Sequence, residues 1–392
     1  MKRNFQMHRR PSSELRVFSP SREKGGLDSR EAAKSRRELE VAPHFFLAGR
    51  GSPLASIASP ENFMRTKFNR REFTRKAALS ALALSLPRVV ADATTTASAA
   101  ESPPPVIDSH THFYDPTRPQ GVPWPPRQEK LLYRKVLPAD YRALPKPTPV
   151  AGTVVVEASA WIEDNQWILD LAANDPFIVG FVGHLTLGAD DFPANLERFA
   201  RNPVFRGIRI GPDAVKAALA GGAPMRHLHL LADRDLCVDL LVGPESLSDI
   251  AKLASAVPRL RMLVDHVCNI RIDGRPADTS WERGMQSAGE RPNLFCKVSG
   301  LVEGSDRRDG KAPTGIEFYR PVLDVVWQAF GADRLVYASN WPVCGIFASC
   351  ATVQTLAETY FAEKGAAASR KCFYQNSRNF YKWTPRAPAQ GA

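Results

Sequence analysis

The chain has 392 residues, 44% hydrophobic, 9% aromatic and 24% charged, an ordinary globular composition long enough to bury one large core or two smaller ones. Its 32 prolines and 25 glycines follow no collagen-like or repeat period, which excludes fibrous and solenoid classes, and no stretch reaches the roughly 18 apolar residues of a membrane-spanning helix. The net charge of +11 sits at one end: residues 1–100 hold 19 Lys+Arg against 9 Asp+Glu, and residues 101–392 hold 33 against 32. A nucleic-acid surface needs its cations on the folded body, so the near-neutral body argues against that partner.

Residues 1–63 mix Arg, Ser, Glu and Pro without sustained periodicity, the composition of a disordered extension. After Met64 comes a basic stretch with Arg70, Arg71, Phe73 and Lys76, then a short apolar run over 77–86 and an A-x-A cleavage pattern at Ala97-Ser98-Ala99. Residues 64–99 therefore read as an export signal and resemble the twin-arginine type, which implies the twin-arginine machinery as a partner and a periplasmic destination. Export signals begin close to their basic region, so Met64 is the expected start and residues 1–63 an untranslated extension. The competing reading is a basic amphipathic helix on the domain surface. The six cysteines (237, 268, 296, 344, 350 and 372) form no C-x-x-C pair, which excludes a zinc ribbon. They are expected mostly as small core residues, with disulfides open to them after export.

From residue 105 onward, short β-branched or apolar runs alternate with helical patterns. Strands are predicted near 105–109, 152–158, 177–187, 205–210, 236–242, 261–267, 293–299 and 334–339. Helices are predicted near 163–174, 191–201, 213–234, 245–256, 317–330, 350–364 and 366–380. Eight strands with helices between them match a (β/α)8 TIM barrel, one catalytic domain over residues 100–392. A doubly wound sheet would show a glycine-rich phosphate loop after its first strand, and "VIDSHTHFYD" has none. The Pro-rich stretch 115–149, with Trp124, is too long for a bare connection and is expected over the barrel mouth.

Chemistry in such barrels gathers at the C-terminal strand ends. The first strand ends with His110 and His112, two apart and so on one face, with Asp108 deeper at the same parity. Two imidazoles there suit a metal or a polar substrate group; a packed histidine is the alternative. The next ends supply Glu157, His184 and Arg209 in turn. The fifth carries Asp239 and no histidine, the sixth Asp265-His266, the seventh Lys297 and Ser299, and the eighth Ser339-Asn340-Trp341. His227 and His229 lie in a helical Leu pattern, where residues two apart diverge, and are expected to pack or face solvent.

"IDSHTHFYDP", the sixth-strand "DH", "KVSGL" and "ASNWPV", in that order over residues 105–382, resemble the amidohydrolase-related family and within it the lactonases of sugar acids or pyrone dicarboxylates. The resemblance implies a (β/α)8 barrel, His110, His112 and His266 as metal ligands or carbonyl-polarising groups, and His266 as a catalytic residue. Asn340 stands where the family usually has an Asp that activates water. A carboxylate can take that proton and a carboxamide cannot, so the base is expected at Glu157, Asp108 or His184, or a metal alone lowers the water pKa. At most one divalent ion, Zn2+ or Mn2+, is implied, and metal-free catalysis is the alternative.

The resulting expectation is a hydrolase of a small cyclic ester, a sugar-acid lactone, using water attack on a His-polarised carbonyl. Arg209, Lys297, His184 and Trp341, with Trp124, are the expected substrate contacts. Arg209 could instead be held in an ion pair with Asp239 or Glu157. Two other functions stay open: a decarboxylase, for which the resemblance implies a strand-five histidine this chain lacks, and a binding protein weakened catalytically by Asn340.

Overall fold

The computed structural model describes residues 105–391. The extension over 1–63 and the export signal over 64–99 lie outside the described residues. Eight strands run parallel in sequential order: β1 (Val106–Thr111), β2 (Val150–Val156), β3 (Ile178–Gly183), β4 (Phe205–Ile210), β5 (Cys237–Leu240), β6 (Arg261–Val264), β7 (Leu294–Val298) and β8 (Leu335–Tyr337). The ring closes between β1 and the segment after β8, where His112 N donates to Trp341 O at 2.8 Å and Asn340 N to His110 O at 3.0 Å. Closure thus places His110, His112 and Asn340 side by side before any side-chain contact is considered. The fold is a (β/α)8 barrel.

Eight principal helices surround it: α1 (Ile162–Asn174), α2 (Phe192–Ala200), α3 (Pro212–Leu219), α4 (Gly222–Asp233), α5 (Leu247–Ala256), α6 (Thr279–Gly289), α7 (Arg320–Phe330) and α8 (Cys350–Glu363). Each packs one apolar stripe on the strands; in α1 it is Ile168, Leu169 and Ala172, joined by Asn165, whose amide bonds the His184 carbonyl at 2.8 Å. The helix predicted over 213–234 is two helices. Gly221 and Gly222 adopt φ of +92° and +70°, which stops one and starts the next. Helix α6 was not predicted: its apolar stripe is only Trp281, Met285 and Ala288, and the Asp278 side chain caps it by accepting from Ser280 N and Trp281 N.

Strand side chains alternate between two apolar layers. Val155, Phe181, Ile208, Val238 and Val264 pack outward with the helices. Ile107, Val154, Val182, Cys237 and Leu263 pack inside with Tyr374, Phe380, Tyr381 and Trp383, so the C-terminal segment plugs the barrel. All six cysteines are buried free thiols. No helix among the described residues is long and apolar enough to cross a membrane.

Candidate active site

The barrel interior turns polar directly above its apolar plug. Lys297 of β7 is fully buried; its Nζ lies 2.5 Å from Asp239 Oδ2 and 2.8 Å from Asp265 Oδ1. The Tyr381 hydroxyl reaches both Asp239 oxygens at 3.1 Å. Lys297 Nζ also lies 2.9 Å from His110 Nδ1. Burial opposes ionisation of both aspartates, pushing Asp239 up to about 6, whereas for Asp265 the Lys297 ammonium together with the His110 and His266 rings outweighs burial and holds the carboxyl well below its usual range.

The imidazoles stand on this ionic floor. An ammonium only donates, so His110 Nδ1 accepts from Lys297 and its neutral ring carries the proton on Nε2, 3.2 Å from His112 Nε2. His112 Nδ1 donates to the Val156 carbonyl at 2.9 Å, which leaves its Nε2 to accept. The His266 ring centroid is 4.6 Å from that of His110, and its Nδ1 is 2.8 Å from Ser299 Oγ. Burial, reinforced by nearby cations, lowers His112 to about 3 and His266 to about 4, so both rings are neutral at physiological pH.

His266 is held by unusual backbone. Residues 266–269 all have positive φ (53°, 43°, 63° and 48°), one left-handed turn of non-glycine residues. Such conformations cost roughly 1–2 kcal/mol per residue and persist only where the surroundings hold them. Here Trp281 Nε1 donates to Val267 O at 3.2 Å and Asn269 Nδ2 to Val242 O at 2.9 Å.

Above the rings opens a cavity of about 560 Å³. His112 and His266 line one part of it, Trp124 from the long 115–149 loop a second, and Asn340 with Glu303 a third. Arg209 and Glu157 line it too; Arg209 Nε donates to Glu157 Oε1 and Nη2 to the Glu157 carbonyl, both at 2.8 Å. These bonds aim the guanidinium while leaving it donors to spare, so it suits a hydroxyl- or carboxylate-rich ligand. Arg209→Ala is expected to raise KM at least tenfold with a smaller fall in kcat, measured by steady-state kinetics; unchanged KM would remove Arg209 from substrate binding.

The model of the family described as Amidohydrolase matches residues 107–383. The chain belongs to the amidohydrolase family. It is 32% identical over 248 residues to an L-fucono-1,5-lactonase of Burkholderia ambifaria, covering 60% of this chain and 80% of that protein. It is 29% identical over 283 residues to an L-fucono-1,5-lactonase of Burkholderia multivorans, covering 68% and 92%. A crystal structure of an amidohydrolase from Burkholderia multivorans with bound zinc superposes with a TM-score of 0.63 at 25% identity, covering 71% of this chain and 100% of that one.

Within this amidohydrolase, His112, His266, Glu157, Arg209, Asn340 and Trp124 converge on one cavity. His110 lies beneath it, fully buried. Other expected placements need correction. Lys297 does not line the cavity, because two aspartates and His110 absorb its three donors inside the barrel. Trp341 is buried against Phe113 and Tyr141 with ring centroids at 6.2 and 5.3 Å, and so lies behind the wall. His184 lines a neighbouring cavity of about 490 Å³, with Glu157 and Arg209 shared between the two.

Asp108 is no free base. The register of β1 against β2 slips between Asp108 and Thr111, and its carboxylate accepts from Tyr141 Oη at 2.6 Å, Ser339 N at 2.9 Å and His110 N at 3.1 Å. It fastens β1 to β8. Glu157 reaches the cavity, but its Oε1 is engaged by Arg209. His227 stacks on Phe192 at 4.2 Å and His229 is exposed, both outside the site.

Two carboxylates have roles that the sequence alone does not assign. Asp265, the neighbour of His266, forms with His110 and His266 a group whose ligand atoms lie within 4.8 Å of one another. Its Oδ2 has no hydrogen-bonding partner among the described residues. Lys297 offsets one of the two aspartate charges, leaving about one negative charge. That donor set fits one divalent ion, with Lys297 competing for His110 and Asp265. Glu303 was overlooked because it lies past the end of β7, in the short turn Leu301–Gly304. The signal that could have found it is an acid three residues beyond the Gly of "KVSG".

Proposed function

We propose that this amidohydrolase opens a small sugar-acid lactone by adding water to its carbonyl. The observation that carries the reading is the convergence on one cavity of two neutral imidazoles, His112 and His266, an anchored guanidinium, Arg209, and the Asn340–Glu303 pair. Its similarity to proteins named L-fucono-1,5-lactonase supports the substrate class.

A lactone is an activated ester whose carbonyl oxygen gains negative charge as water adds. His266, fixed through Ser299 and by its left-handed turn, is suited to polarise that carbonyl without reorganising. His112 adds a second polar contact, with its ring locked by Val156 O. Arg209 holds the polar edge of the sugar acid, and Trp124 offers an apolar face above it. As the alternative to direct polarisation by the His266 ring, His110, Asp265 and His266 would hold a divalent ion such as Zn2+ or Mn2+, which when bound would supply the Lewis acidity in its place.

A decarboxylase has less support: the cavity wall at the end of β5 is Leu241, where the expected extra histidine would stand. Export by the twin-arginine route to the periplasm is part of the proposal and rests on Arg70, Arg71, the apolar run 77–86 and the A-x-A pattern ending at Ala99.

The test is proton release from a panel of aldono-1,5- and 1,4-lactones including L-fucono-1,5-lactone, with carbon dioxide monitored in parallel. Proton release without carbon dioxide supports the lactonase. Carbon dioxide from a carboxylated substrate, with no lactone opened, overturns it.

A further inference from the structure

Asn340 leaves the lactonase reading without a proton acceptor where the family usually places an Asp. Of the other acids near the cavity, Glu157 lines it but is ion-paired to Arg209 through Oε1, and Asp108 is triply bonded. Asp239 and Asp265 are not among the cavity's lining residues and face the Lys297 ammonium, although Asp265 Oδ2 has no hydrogen-bonding partner among the described residues. Among those residues, Glu303 differs in lining the cavity without a cation beside its carboxylate. It lines the same cavity as Asn340 and His266. The Asn340 carboxamide donates from Nδ2 to Glu303 Oε1 at 2.9 Å, and Glu303 Oε2 is buried with no hydrogen-bonding partner among the described residues.

A buried carboxylate oxygen without a donor costs roughly 1–3 kcal/mol unless another group meets it. Glu303 lines the reaction cavity, so a water bound beside Asn340 is the group available to meet that oxygen. We propose that the carboxylate missing from position 340 is supplied by Glu303, which acts as the general base of lactone hydrolysis while Asn340 orients it. The assignment rests on the lactonase reading and deepens it.

The step balances on residues of this chain. Glu303 Oε2 takes a proton from water as the water oxygen bonds to the lactone carbonyl carbon, and the carbonyl π electrons move to its oxygen. When the tetrahedral adduct collapses, the bond from that carbon to the ring oxygen breaks. Glu303 returns its proton to the departing ring oxygen, which becomes a hydroxyl. The product is an open-chain acid, whose ionisation supplies the proton that the assay reads.

Backbone geometry supports the exchange. Asn340 has φ of +58°, a conformation Asn tolerates better than most residues, and its peptide N–H is tied to His110 O. Glu303 begins three residues after Gly300, which packs directly on His266. Ser299 of the same segment bonds the His266 ring. The segment after β7 therefore sets both the polarising imidazole and the carboxylate. Burial raises Glu303 to about 7, which leaves it a proton acceptor of useful strength near neutral pH.

The experiment compares the full chain with Glu303→Gln and with Glu303→Gln/Asn340→Asp, using L-fucono-1,5-lactone and the aldonolactone panel under proton-release assay. Thermal unfolding of each variant verifies folding. The expected result is a fall in kcat of at least 100-fold for Glu303→Gln with KM within threefold, and recovery of at least tenfold in kcat when Asp is restored at position 340. A Glu303→Gln enzyme within threefold of native kcat, or one that loses only KM, overturns the assignment and leaves the lactonase reading intact. A folded single variant that is impaired while the folded double variant recovers nothing also overturns it, since a structural role alone would then suffice. A native chain that opens no lactone in the panel overturns both.

Discussion

Lys297→Met lowers stability by about 3–5 kcal/mol, because it removes one partner of a buried ionic cluster and leaves the others in place. Asp239 and Asp265 face the ammonium at 2.5 and 2.8 Å, and all three side chains are fully buried. Met approximates the volume of the lysine stem, so cavity formation contributes little and the loss is electrostatic. The sign with pH follows. Without the ammonium, the two carboxylates hold protons more tightly in the folded chain than in the unfolded one, where their pKa is near 4. The folded state then binds more protons, and its stability falls as pH rises through the raised folded pKa. The deficit against native is therefore larger at pH 8 than at pH 5. Adding Asp239→Asn should return part of it, since one buried charge then needs no counterion. Urea unfolding of the three proteins at both pH values tests this; a Lys297→Met midpoint equal to native would show that the cluster carries no such coupling.

Gly300→Ala is the second large effect, and it acts on the His266 turn. Gly300 has φ of +68°, a left-handed conformation that costs an L-residue roughly 1–2 kcal/mol. A methyl group there would overlap His266 Cβ and lie 3.1 Å from His266 Cα, an overpacking worth a further 1–3 kcal/mol or so. The cheapest relief is movement of His266, whose own φ of +53° already depends on its surroundings. The variant should lose about 2–5 kcal/mol of stability, and its residual folded population should show kcat reduced at least tenfold. Thermal unfolding and steady-state kinetics give the two readings. Native stability with native kcat would mean that the β7 segment does not position His266.

The fold was legible because its signals are local. Each strand is a run of β-branched or apolar residues whose length matches its burial, and the pair His110 and His112 announces a strand end by spacing alone. The Arg209–Glu157 pair was foreseen as one of two options, and only the folded order of β2 and β4 around the ring selects it. What escaped depends on long-range placement. Lys297 sits near the end of β7 like a cavity cation, yet Asp239 of β5 and Asp265, the residue after β6, both reach its ammonium inside the barrel. Tyr381 closes that cluster from the C-terminal segment, far away in sequence. Asp108 shares sequence parity with His110, but the register slip in β1 sends it to Tyr141. Glu303 lies beyond its strand in a short turn, so a reading that stops at strand ends passes it by.

The account turns on His266 as the group that polarises a lactone carbonyl in the cavity it shares with Asn340 and Glu303. The most direct measurement is the rate of proton release from the lactone that the native chain opens, repeated with His266→Ala at matched thermal stability. The account predicts that kcat falls by at least 1,000-fold to near the uncatalysed rate, with the ring-opened acid as the sole native product. Full retention of kcat in His266→Ala would contradict it.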